Sequence, residues 1–227
     1  VNLNLDSLID LPDGLRPPDP GSPPARILAA TRGLLAAHGP AGISMRAVAA
    51  AAGVNQAMIH YYFHSKDRLL DVLIGQEILQ ILRDVAAGLA GTERSAELFV
   101  QHPLRLLDAL RRDPVRMRML RLVLAAEPDR LRRVIRQLGQ HGILGFASAM
   151  RELADRLRAS GELADVEPES VLLFLLASAY GLVFMAPVAS EVTGFQLEDD
   201  DHWRRHRHNL EVLLRSGVLA PGKAWPC

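Results

Sequence analysis

Apolar residues recur at three- and four-residue intervals along most of the chain, and Ser, Asp, Asn, Pro and Gly interrupt them where helix caps belong. Ile27, Thr31, Leu34 and Leu35 share one face of a first helix, opened by Ser22 and Pro23 and closed by His38-Gly39-Pro40. Ser44 caps a short second helix, Met45 to Ala52, and Gly53 ends it by supplying a left-handed turn. Asn55 caps a third helix, Gln56 to Tyr62. Ser65 caps a fourth, whose Leu69, Leu70, Leu73, Ile74, Ile78 and Ile81 run on towards Gly88 or Gly91. Ser95 to Arg112 forms a fifth pattern, and Asp113-Pro114 starts a sixth that ends near Ala126. A seventh runs from Pro128 to Ser160, and within it Gly139, Gly142 and Gly145 either admit a close neighbour or mark a break. Glu167-Pro168 opens an eighth helix, expected to kink or end around Pro187 and to be over by Gly194. Asp199, Asp200 and Asp201 suit the positive end of a ninth, closing at Gly217. The pattern predicts an all-α protein of about nine helices.

Composition supports this. Leu, Ala and Arg dominate, β-branched and aromatic residues are sparse, and 49% hydrophobic content suffices for packed cores. Ser170 to Ser190 contains no charged residue and as a helix would be about 31 Å long, enough to cross a bilayer. Ser178, Tyr180, Gly181 and Pro187 argue against that, as do flanks of Glu169 and Glu191 where an anchor would carry Lys or Arg. A helix packed on one side by its own core and on the other by a partner chain explains the same residues, and implies a dimer. Cys227 is the only cysteine, so no internal disulfide forms and a reducing cytoplasm is the expected compartment. The N-terminus has no basic and apolar leader pattern; residues 1–21 and 220–227 are expected to be flexible tails.

Helix two, the Gly53 turn and helix three have the proportions of a helix-turn-helix, whose second helix enters the DNA major groove. On a helical wheel Ile59, Tyr62 and Phe63 fall on one face with Met58 at its edge, while Gln56, Ala57, His60 and Tyr61 fall opposite. Gln56 suits adenine, Ala57 and Met58 a thymine methyl, and His60 and Tyr61 phosphates or base edges. The formal net charge of the chain is zero, yet residues 24–70 hold Arg26, Arg32, Arg46, Lys66 and Arg68 against Asp67 alone, a local excess of +4. Lys66 opposes the dipole of its own helix, which makes sense if a phosphate occupies that N-terminus. Ser44, Met45 and Arg46 open helix two and are placed for the same backbone contact, and Asn55 starts the reading helix.

Residues 24–72 resemble the N-terminal domain of the tetracycline-repressor (TetR/AcrR) family. The resemblance rests on His-Gly before a short loop, Ser44 opening helix two, Ala-Gly-Val-Asn at the turn, and "YYFHSKDRLL" leading into helix four. Asn55 stands where many members have Ser, Met58 where a small polar residue is common, and His60 where Tyr is frequent. The resemblance implies a helix-turn-helix domain over 22–68 and an effector-binding and dimerisation domain over 69–219. It also implies a repressor-like homodimer, joined through helices near 168–193 and 201–216, on a pseudo-palindromic double-stranded operator. A small-molecule effector, largely apolar, would lower operator affinity from a cavity near Met117, Leu120, Phe146, Met150, Phe174, Ser178 and Tyr180. Arg118 and Arg121 leave room for an acidic effector.

Other chemistries find little support. His202 and His206 share a helix face, but Arg204, Arg205 and Arg207 would repel a cation and no further ligand completes a set, so no metal and no cofactor is assigned. No phosphate loop or nucleophile elbow occurs, and the expectation is a protein that is not an enzyme. An adaptor of the same fold, binding DNA or protein without controlling a promoter, is the remaining alternative.

Overall fold

The computed structural model describes residues 15–89, 95–140, 144–164 and 167–218. The elements among them are helical: α1 (Pro23–His38), a 3-10 turn (Pro40–Gly42), α2 (Met45–Ala52), α3 (Gln56–Phe63), α4 (Lys66–Gly88), α5 (Glu97–Arg111), α6 (Pro114–Ala126), α7 (Pro128–Leu138), α8 (Leu144–Ala159), α9 (Pro168–Thr193) and α10 (Asp200–Val218). The predicted caps form. Ser22 Oγ accepts from Ala25 N, Ser44 Oγ from Ala47 N, Asn55 Oδ1 from Ala57 N, Ser65 Oγ from Arg68 N, and Asp113 Oδ1 from Arg116 N. Gly53, at φ 62°, takes the left-handed conformation that turns α2 into α3.

Two predictions about helix continuity resolve differently. In the long seventh pattern the α-helix α7 ends at Leu138, residues 139–140 continue as π-helix, and α8 begins at Leu144, with residues 141–143 outside the described ones. Gly142 lies outside the described residues. The chain stays helical through position 187 and ends only at Gly194, φ 71°. Proline removes a single hydrogen bond, which a helix of 26 residues absorbs locally.

The described residues group into two compact units. The first contains those up to Ile81 and those between Asp113 and Leu144; the second contains Leu82–Arg112 and those from Gly145 onward. In the first, Ile27, Leu35, Val48, Ile59, Leu69, Leu70 and Ile74 are fully buried where α1 meets α2, α3 and α6. Thr31 joins this core because its hydroxyl donates to the Ile27 carbonyl at 2.7 Å, so no polar group is left unmet. A four-residue ion cluster sits among these helices. Glu77 of α4 accepts from Arg32 Nε of α1 and Arg116 Nε of α6, each at 2.7 Å, and Arg32 also bonds Asp113. Leu15, placed by the sequence in a flexible tail, is buried against Gly75; a Cβ there would come within 2.7 Å of the Leu15 side chain.

In the second unit, α5 packs against α9 and α10. Trp203 is buried, its indole N–H donating to Asp108, and Arg111 lies 5.4 Å over its ring. Arg215 forks both carboxylate oxygens of Glu97 at 2.8 Å. A stripe of α9 is left facing outward. Phe174, Ser178, Gly181, Met185, Val188 and Val192 fall within about 40° on either side of one line along the helix, and Phe174, Met185, Val188 and Val192 are exposed, as are Val212 and Leu213 of α10.

Candidate nucleic-acid interface

Helix α3 has eight residues, too few to hold itself together in water, so its shape depends on what anchors it. Ile59 and Phe63 do this from the core, at 0% and 5% exposure. Around them Gln56, Ala57, His60 and Tyr61 are exposed and Met58 is half-buried. Tyr62 departs from the wheel, which set it inward: it is 40% exposed and meets Tyr61 edge-on at 5.0 Å. A helix of two turns offers the core only two well-centred positions, and Tyr62 lies at their margin.

The His60 ring is oriented by its neighbour. Its Nδ1 lies 3.2 Å from the His64 carbonyl, which can only accept, so that bond uses a proton on Nδ1 and leaves Nε2 for an outside partner. His64 itself caps α3 at φ 63°, ψ −45°, a conformation non-glycine residues rarely take. Sequence reasoning missed it; no residue-type signal marks it.

The cations divide into two groups. Arg32, counted from sequence as part of the basic patch, turns into the core to pair with Glu77 and Asp113. Arg26, Arg46 and Arg68 are exposed. Lys66 is half-buried, its ammonium donating to the Pro40 carbonyl at 3.1 Å, which ties α4 to the 3-10 turn and leaves two further N–H groups. The single acid of this segment is neutralised from elsewhere. Arg130 of α7 reaches Asp67 Oδ1 at 2.5 Å, the Asp67 carbonyl at 3.1 Å, Asp71 Oδ1 at 2.6 Å, and Glu127. Hydrogen bonding and charge from Arg130 hold the Asp67 carboxyl below its usual range. Loss of Arg32 from the patch is thereby offset by the pairing of Asp67. Ser44, Met45 and Arg46 stand together at the start of α2, exposed except for the half-buried Met45.

The effector candidates do not share one setting. Met117 and Leu120 are buried in the first unit; Met150 and Ser178 are half-buried in the second. Phe174, expected to line a cavity, is 59% exposed on the outward stripe of α9, because that stripe and not the inner face carries the 174, 178, 181, 185 repeat. The side chains of Phe146 and Tyr180 lie outside the described residues. Among the described residues no group of three or more His, Cys, Asp or Glu could hold a metal, and no helix is long and apolar enough to cross a membrane.

A capped two-turn helix with a polar outer face, set behind a left-handed glycine turn in a segment whose Arg26, Arg46 and Arg68 are exposed, defines the class: an all-helical, helix-turn-helix DNA-binding regulator. Residues 27–73 match the family described as bacterial regulatory proteins, tetR family. Solved structures extend the likeness in fold to most of the chain. A tetR-family transcription regulator from Shewanella sp. PV-4 is 21% identical, with a TM-score of 0.63 over 88% of this chain and 99% of that one. A TetR transcriptional regulator from Chloroflexus aurantiacus is 20% identical, TM-score 0.62, covering 87% and 96%. The fatty acid degradation regulator FadR from Bacillus halodurans is 17% identical, TM-score 0.67, covering 87% and 96%. No curated protein matches the chain significantly. The family and these structures are transcription regulators, not enzymes.

Proposed function

We propose that the chain is a cytoplasmic, ligand-responsive repressor that binds a pseudo-palindromic operator as a homodimer, each protomer reading one major groove with Gln56, Ala57, Met58, His60 and Tyr61. The observation that carries this is the pairing of two well-buried anchors, Ile59 and Phe63, with an outer face, Gln56, Ala57, His60 and Tyr61, that is exposed among the described residues. Asn55 caps that helix, and Ser44, Met45, Arg46 and Lys66 supply backbone contacts around it. The outward apolar stripe of α9, with Val212 and Leu213 of α10, supports a second copy as the partner, since exposed apolar stripes of this size on a globular protein mark an interface. Domain borders near 22–68 and 69–219 belong to this reading. So does an effector held in the C-terminal domain, whose binding lowers operator affinity through a coupling of about 1–3 kcal/mol. Met150 remains a candidate for that pocket, while Ser178 shares the outward stripe of α9 with Phe174.

Binding-site selection with the purified protein tests the reading. The expected result is a palindromic consensus that Gln56→Ala relaxes at one position by about 1–3 kcal/mol, while Lys66→Ala weakens all sites alike. Sequence-blind binding, unchanged in Gln56→Ala, would favour the adaptor instead.

A further inference from the structure

The geometry points to α7 as a second DNA-backbone contact, in which the exposed guanidinium groups of Arg133 and Arg136 engage phosphates flanking the half-site read by α3. This inference rests on the DNA-binding reading above, and adds to it a basic surface well beyond the helix-turn-helix in the chain.

Helix α7 carries four arginines against one aspartate in 11 residues. One of them, Arg130, is buried, with only 8% of its side chain exposed, and uses its guanidinium to grip the first two turns of α4 through Asp67 and Asp71. Further along, Val134 faces Gly75 of α4. Residue 130 against 67 and 71, then 134 against 75, means that α7 runs beside α4 in the same direction. The opening turns of α7 therefore flank the opening turns of α4, where Lys66 sits. The preceding helix agrees with this location: Leu122 of α6 lies against Gly39, next to the Pro40 carbonyl that Lys66 binds. The corner between α6 and α7 is thus at the end of the unit that carries the proposed phosphate contacts, held there by the ion pairs of the buried Arg130.

What α7 presents from that end onward is cationic, with Arg133 in its second turn and Arg136 in its last. Asp67, Asp71 and Glu127 are satisfied by Arg130, and Asp129 by Arg132 at 3.0 Å. Arg133 and Arg136 are exposed and have no acidic partner among the described residues. Arg133 is close enough to Asp67 to add to the depression of its carboxyl pKa. An intramolecular role would give these side chains an acid to pair with; duplex DNA running past Lys66 supplies one in its phosphates. Residues of this kind position the protein on the duplex without reading bases, so they act on DNA outside the consensus.

The test is fluorescence anisotropy with full-length protein and two duplexes, one trimmed to the selected site and one with about one helical turn, roughly 10 base pairs, added at each end. Arg133→Ala with Arg136→Ala is compared with the parent across salt concentrations. On the extended duplex each lost phosphate contact removes about 0.9 from the slope of log K against log salt, roughly an eightfold loss of affinity at 0.1 M. On the trimmed duplex the variant and parent are expected to coincide, and Arg133→Lys with Arg136→Lys to restore the slope. An unchanged slope on the extended duplex, or an equal loss on both, overturns the proposal. Gln56→Ala serves as the separate gauge of the operator reading, because it must lose sequence preference on both duplexes. If the parent shows no sequence preference at all, the same slopes are measured on duplexes of arbitrary sequence, and the role of α7 is decided independently.

Discussion

Replacing Glu77 by leucine should be among the most damaging single changes in the first unit that spare the apolar core. Glu77 is 10% exposed and receives one guanidinium N–H from each of two helices, Arg32 on α1 and Arg116 on α6, at 2.7 Å. Arg116 is itself 9% exposed, so removing Glu77 strands a buried cation. Breaking a buried pair in this way costs about 3–5 kcal/mol. Asp113 lies 3.5 Å from Arg116 and also holds Arg32, and this remaining acid puts the expected loss at the lower end, about 3 kcal/mol. The Asp113 carboxyl stays charged and able to compensate: burial raises its pKa, but the Arg116 N–H and the charges of Arg32 and Arg116 outweigh that and leave it lowered. Against a total stability of about 5–15 kcal/mol the effect is large. Urea unfolding at one fixed protomer concentration should show the midpoint falling by roughly 1–1.5 M with an unchanged m-value. Glu77→Gln, which keeps an acceptor for one arginine, should lose less. A double-mutant cycle with Arg116→Met should give a combined loss smaller than the sum, because the second change removes the stranded charge. A Glu77→Leu loss under about 1 kcal/mol, or strict additivity, refutes the argument.

Burial holds the His102 imidazole of α5 down to about 4 from its ordinary 6.5, so the folded state keeps it neutral. Its contribution is complete above pH 6.5 and is lost as pH falls towards 4, by as much as about 3 kcal/mol; a difference in unfolding free energy between the parent and His102→Gln that does not change over this window would sink the idea. His64→Gly should stabilise the protein by up to about 1 kcal/mol, since φ 63° is strained for a side chain, and a lower melting temperature would contradict this. Gly53→Ala imposes the opposite change at φ 62°, with a loss of about 1 kcal/mol expected in urea unfolding and no steric contribution, because nothing lies within 4 Å of the added methyl. Leu213→Glu combined with Phe174→Glu should halve the mass seen in sedimentation while leaving helical content intact; a mass equal to that of the parent removes α9 and α10 from the interface.

Much of the architecture was legible because caps are local chemistry. Ser22, Ser44, Asn55, Ser65 and Asp113 each close a ring of two or three residues, and the sequence alone locates them. Ile59 and Phe63 were legible for a similar reason, since a period of 3.6 needs no knowledge of partners. What failed to show were features decided by distant residues. Arg32 looks like any surface arginine until α4 and α6 bring Glu77 and Asp113 to it, 45 and 81 positions later. Arg130 gives no hint that it clasps Asp67 and Asp71, and Phe174 reads equally as cavity lining or interface. The strain at His64 left no trace, because a histidine, unlike the glycine at 53, does not announce a positive φ.

In the proposed reading the short helix α3 divides its labour: Ile59 and Phe63 hold it in place, while Gln56, Ala57, His60 and Tyr61 are exposed and contribute little to the core. Operator preference can therefore drift by point changes that leave folding untouched, whereas a lesion at Ile59 silences every site at once. Evolution, or an engineer, has four nearly free letters with which to readdress the same body to a new stretch of genome.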